Sequence, residues 1–122
     1  MLCACAEHAA PKVEENILPT DYRDEILKQL RLHVDDPVGI RDAYIAEPAL
    51  RPYGTVSRYV VCVRFDARGK DGRYVGNKDM AAFYYAGRIT RIADADRELC
   101  GNAAYQPFPE LQKLCRELVC KS

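Results

Sequence analysis

The sequence has no tryptophan, only two histidines and only two serines, and each scarcity removes a class of chemistry. Ser57 and the terminal Ser122 both lack a nucleophile-elbow context, so a Ser-His-Asp arrangement finds no nucleophile here. His8 lies in an Ala-rich leading stretch. His33 falls at the end of an expected helix, where a histidine is explained by the helix dipole without any Cys–His catalysis. No CxxC pair occurs and the histidines do not complete a zinc spacing, so no metal is expected. Gly69-Lys70-Asp71-Gly72 is too short for a phosphate loop and lacks the Ser/Thr that follows its lysine; no dinucleotide fingerprint is present and no cofactor is expected. Long apolar runs are missing too: nothing approaches the ~18–20 residues of a membrane-spanning helix. The carboxylate pairs Glu14-Glu15, Asp35-Asp36 and Asp94/Asp96 fall in linker, cap or loop positions, where acidic residues serve the backbone. No catalytic centre is therefore expected.

What is present describes one domain. The chain of 122 residues is 48% hydrophobic and 30% charged, enough apolar material for a core and too much for wholesale disorder. Residues 1–19, with Pro11 and Pro19 and no sustained period, read as a flexible tail and linker, and residues 20–122 as a single α+β domain. A helix starts at Thr20 or Asp21, with Tyr22, Ile26, Leu27, Leu30 and Val34 on one face, and Asp35-Asp36-Pro37 ends it. The period then changes. A first strand surrounds Ala43, Tyr44 and Ile45 and stops near Pro48 or Pro52; a second, apolar on both faces, runs from Tyr59 to Phe65 and reads as central. The Asp71-Gly72 turn leads to a third strand from about Tyr74 to Ala86, interrupted at Gly76-Asn77, and Ala86-Gly87-Arg88 turns into a fourth, Ile89 to Ile92. A last helix carries Leu111, Leu114, Cys115 and Leu118. The expected fold is thus an N-terminal helix, an antiparallel four-stranded meander and a C-terminal helix, with both helices on one face of the sheet.

Six cysteines are many for a reducing compartment. Cys62 in the central strand and Cys100 in the irregular stretch beyond the sheet are candidates for a bridge enclosing 37 residues, worth ~2–4 kcal/mol. Cys115 and Cys120 cannot pair inside an intact helix, where i, i+5 positions lie too far apart; they pair only if the last turn frays, or one joins another cysteine. Four cysteines allow three connectivities, and the sequence does not choose among them. At the start, Leu2-Cys3-Ala4-Cys5 has the form of a bacterial lipobox with Cys5 as the lipid acceptor, without the basic and apolar regions that precede such a box.

The net charge is zero but unevenly spread: −5 over residues 1–50, +6 over 51–91 and −1 over 92–122. The middle segment carries nine basic and three acidic side chains, so it could face an anionic partner or simply complement the acidic helix beside it. Arg58, Arg64, Arg73, Tyr74, Tyr84 and Arg88 are the candidates for a binding surface. Tyrosine and arginine on a sheet serve as half-buried filler, as protein-binding hot spots, or as a nucleic-acid surface. The zero net charge weighs against the last.

The stretches Ile40-Arg41-Asp42-Ala43-Tyr44-Ile45-Ala46-Glu47-Pro48, Arg58-Tyr59-Val60-Val61-Cys62-Val63-Arg64, Asp71-Gly72-Arg73-Tyr74 and Ala104-Tyr105-Gln106-Pro107-Phe108-Pro109-Glu110-Leu111 resemble a group of small alphaproteobacterial proteins described as lipoproteins. No activity is attached to that group; the resemblance implies an envelope location, and Cys115 and Cys120 do not match its pattern. Together these readings point to a non-catalytic, exported protein, periplasmic or tethered to the outer membrane, that meets the membrane only through a lipid anchor. It would bind another envelope protein as an accessory subunit and would not bind nucleic acid. The alternatives are a small-ligand binder or enzyme with its site on the Tyr- and Arg-bearing strands, and a cytosolic nucleic-acid-binding module.

Overall fold

The computed structural model describes residues 16–115. Helix α1 (Tyr22–His33) follows the expected face, with Ile26 and Leu30 completely buried and Asp24 and Glu25 in the first turn, where their charge suits the helix dipole. It is the first helix of the described chain but not its beginning, since the segment from residue 16 precedes it. The strands are β1 (Asp36–Ile45), β2 (Ala49–Tyr53), β3 (Val56–Arg68), β4 (Lys78–Tyr85), β5 (Arg88–Asp94) and the two-residue β6 (Gln106–Pro107), with a short helix α2 (Arg97–Cys100) between β5 and β6. They form a six-stranded antiparallel sheet in the order β5-β4-β3-β1-β6, with β2 also pairing β3. The α+β class and the central position of the Tyr59–Phe65 segment agree with the sequence.

The four-stranded meander does not hold, and one strand explains why. At 13 residues, β3 outruns any single neighbour on one side: β1 pairs its second half and β2 its first half, with Ala46 to Pro48 between them. Pro48 and Pro52 flank or interrupt β2 and mask it in the sequence; Pro52 is tolerated because β2 is an edge. The Tyr74 segment contributes one isolated bridge to Arg68, so β4 starts only at Lys78.

The expected C-terminal helix is corrected over its first part, while Leu118 lies outside the described residues. Pro109–Lys113 is a short 3-10 turn, and Leu114 closes it in an extended conformation. Leu111 and Phe108 are completely buried against β1 and α1, so the apolar spacing reflects docking onto the core rather than a long helix face. Arg23 fixes this turn to α1, with its guanidinium 4.8 Å above the Phe108 ring and 2.9 Å from Glu110.

The C-terminal turn lies with α1 on one face of the sheet, while the unexpected α2 lies on the other. On the first face, Val61, Val63, Phe65 and Ala67 of β3 and Met80, Ala82 and Tyr84 of β4 pack under Ile26 and Leu30. On the second, Val60, Cys62, Ala81 and Phe83 pack under Cys100, Leu99 and Tyr105. The period of two sorts these side chains to opposite sides of the sheet. Cys62 and Cys100 are joined by a disulfide with their Cα atoms 5.8 Å apart, which staples α2 to the middle of the second face. Two apolar clusters in place of one explain why β3 reads as apolar on both faces.

Candidate binding face

Register places an arginine-rich row across one end of the second face. Arg51 of β2 lies directly opposite Arg58 of β3, and Tyr85 of β4 directly opposite Arg88 of β5. The Arg58 guanidinium sits 5.1 Å from the Tyr85 ring centre, closing the row Arg51–Arg58–Tyr85–Arg88 across four strands. Three strand spacings make it ~14 Å long. The next row is Ala49–Val60–Phe83–Arg91, with Arg91 5.2 Å over the Phe83 ring. Neither row contains a carboxylate. Like charges facing each other across a ladder destabilise a sheet, and tyrosine and arginine are the side chains that dominate protein contacts, so the row costs stability and suits recognition.

Local chain geometry holds these residues in place. Ala86 and Gly87 both have positive φ, 52° and 79°, and form the two-residue turn that sets Tyr85 against Arg88. Gly87 is required twice over there, because a Cβ would also press on Ile17 at 3.1 Å. Between the row and α2 lies a cleft of ≈ 610 Å³ with Arg51, Pro52 and Gly54 on one side and Asp96, Glu98 and Leu99 on the other. A second cleft of ≈ 420 Å³ lies on the other side of Arg51, reached from Glu47, Asn102 and Gln106. Arg51 is common to both, and its Nε is buried without a hydrogen bond.

Of the residues singled out in the sequence, Arg58 and Arg88 meet in this row. Arg64 is on the same face, at the far side of the disulfide. There it holds Asp79 through two hydrogen bonds, 2.7 and 3.2 Å, and its guanidinium lies 4.4 Å from the Tyr105 ring. The Tyr105 phenol is pushed well above its ordinary value by burial first and by the Asp79 charge second, although its hydroxyl meets that carboxylate without hydrogen-bond geometry. Arg73 is exposed on the β3–β4 loop, away from the row.

Tyr74 belongs to a different assembly. Its hydroxyl donates to the Gly39 carbonyl at 2.7 Å and its ring lies 3.7 Å from the Arg41 guanidinium. Arg41 donates in turn to Asp66, the buried carboxylate that also accepts from the Gly76 N–H at 2.9 Å. These contacts clamp the 69–77 loop to β1. Tyr84 is no surface residue at all: it is 1% exposed and packs under α1. Its phenol is raised by burial and then by Glu25.

Arg51, Tyr85 and Arg91 complete the face and were not among the sequence candidates. The Tyr85–Arg88 pairing is readable from the Ala86-Gly87 turn, but Arg51 needs β2, which the prolines conceal. At the exposed C-terminal end of α1, a cavity of ≈ 260 Å³ brings His33 near Arg68, Lys78 and Asp94. Its charges pair locally, Lys78 with Asp94 at 3.8 Å and Arg68 with Asp36 at 3.6 Å. Cys115 is disulfide-bonded, while Cys5 and Cys120 lie outside the described residues. Among the described residues no group of three or more His, Cys, Asp or Glu could hold a metal, and no helix is long and apolar enough to cross a membrane.

No family model matches this sequence, and neither does any curated protein or solved structure.

Proposed function

We propose that this chain is a non-catalytic protein-binding subunit of the bacterial cell envelope, whose second sheet face docks an anionic surface of another protein. The observation that carries this reading is the Arg51–Arg58–Tyr85–Arg88 row, with arginines on three of its four strands and no carboxylate in it. The Cys62–Cys100 disulfide supports an oxidising, exported location, where such bonds persist. The tether would be a lipid on Cys5, supported by Leu2-Cys3-Ala4-Cys5 and by the resemblance to alphaproteobacterial lipoproteins. An oxidising compartment holds little nucleic acid, which favours protein over nucleic acid as the anionic partner. Packing on both faces of the sheet counts against a ligand site buried among the Tyr- and Arg-bearing strands.

The test is purification from membranes of the native host, comparing the wild type with Arg58→Glu/Arg88→Glu. Wild-type protein should run in an assembly with a second protein and carry lipid mass on its N-terminal fragment; the variant should run free with the same lipid. Two free chains of equal size would refute the docking, and an unlipidated N-terminus would refute the tether.

A further inference from the structure

The geometry points to an extended acidic peptide segment with one apolar anchor residue as the element that the second face receives. This rests on the protein-binding reading above and names the part of the partner that makes contact. Three features of the face select it. First, the row is ~14 Å long, the span of about four residues of extended chain, so carboxylates at alternate positions of one strand reach its arginines together. Arginine suits this role because its planar fork takes a carboxylate in a bidentate pair. Second, the cleft next to the row has Phe83 in its lining and Leu99 and Ala95 on its α2 side, an apolar seat for a single side chain beside the charged row. Third, the α2 side also carries Asp96 and Glu98. A uniformly acidic ligand is repelled there, and a basic one is repelled by the row. Only a segment with its acids over the row and an uncharged residue toward α2 meets no like charge, so repulsion sets both composition and direction.

Arg51 is the pivot of the arrangement. It stands at the end of the row and at the mouth of the cleft, and its buried Nε has no hydrogen-bond partner. A carboxylate arriving in the cleft meets the Arg51 guanidinium in its lining. Because Pro52 removes an N–H from β2, side chains rather than a continued backbone ladder carry the recognition.

The experiment selects a random heptapeptide library against the full chain with its disulfide intact. Enriched peptides should carry Asp or Glu at two alternate positions beside one apolar residue. A synthetic copy of the best peptide should bind Arg58→Glu/Arg88→Glu roughly tenfold more weakly per reversed charge, and binding should fall with added salt. Leu99→Arg should keep the acidic preference and lose the apolar one; melting temperatures of the free variants check that each is folded. Arg88→Glu alone, at an exposed position, repeats the charge test without touching the packed face. Selection without an acidic bias, or with the same bias on the charge-reversed chain, overturns the inference. If that happens while the native assembly still depends on Arg58 and Arg88, only the peptide class falls. If the assembly is also indifferent to them, the protein-binding reading falls with it.

Discussion

At the scale of single residues, Asp66 and Tyr84 show how differently buried polar groups are treated. Asp66 is 4% exposed, and its two oxygens take the Arg41 Nε–H and the Gly76 N–H. Asp66→Ala leaves a backbone donor and a guanidinium without their acceptor, so it should cost ~1–3 kcal/mol in a denaturation midpoint and loosen the 69–77 loop. An unchanged midpoint would show that solvent already satisfies these donors. Tyr84 and Tyr105 hold their phenols protonated above the ordinary value of 10.0, each through burial first. A group whose pKa is raised in the fold favours the fold below its unfolded value and loses that contribution as pH climbs past it. The fold should therefore weaken above pH ~10. In a spectrophotometric titration, two of the eight tyrosines should ionise only on unfolding. Tyr84→Phe, which removes a hydroxyl without hydrogen-bond geometry, should leave stability near neutral pH almost unchanged and reduce the alkaline loss. A smooth titration of all eight tyrosines in the folded state would contradict this.

Elements differ in how plainly the sequence announces them. Helix α1 is readable because its first-turn charges and apolar period agree, although Asp21 at its start makes no side-chain capping bond, and burial of Ile26 and Leu30 adds ~1.5–3 kcal/mol each. The Cys62–Cys100 pair is readable from one strand cysteine and one cysteine beyond the sheet, though spacing alone did not choose it over other pairings. Three things were hidden. Pro48 and Pro52 conceal β2; the bulged β1, where Asp42 takes a φ of 55°, begins seven residues before the alternation becomes visible at Ala43. Leu111 and Leu114 imitate a helix face although Leu114 is extended. The division of the sheet into two packed faces follows from long-range register, which local periodicity does not encode. The staple makes a prediction of its own. Cys100→Ala, which removes this bridge alone, should cost ~2–4 kcal/mol and release residues 95–105 first. Amide exchange should rise there while β3 and β4 stay protected. A uniform rise across the sheet would mean that the disulfide holds the whole fold rather than α2.

For the whole molecule, neutrality hides an arrangement. The +6 of residues 51–91 is not spread evenly over the surface. Part is spent inside the fold, with Arg64 on Asp79 and Arg68 on Asp36, and part gathers at one end of the second face, with Arg51, Arg58, Arg88 and Arg91 around Phe83 and Tyr85. The candidate site was thus half legible: a basic, tyrosine-bearing middle is visible in composition, but which arginines converge depends on the pairing of four strands. Tyr74 and Tyr84, equally prominent in the sequence, turn out to hold a loop and fill the core. The most direct test of the account places a photoreactive side chain at Tyr85, 46% exposed within the row, and a control at Leu32, 79% exposed on α1. Irradiation in the native host should join Tyr85 to one protein partner, through an acidic segment, and leave Leu32 without that product. Equal yields at the two positions, or none at either, would contradict a docking face built on the second side of the sheet.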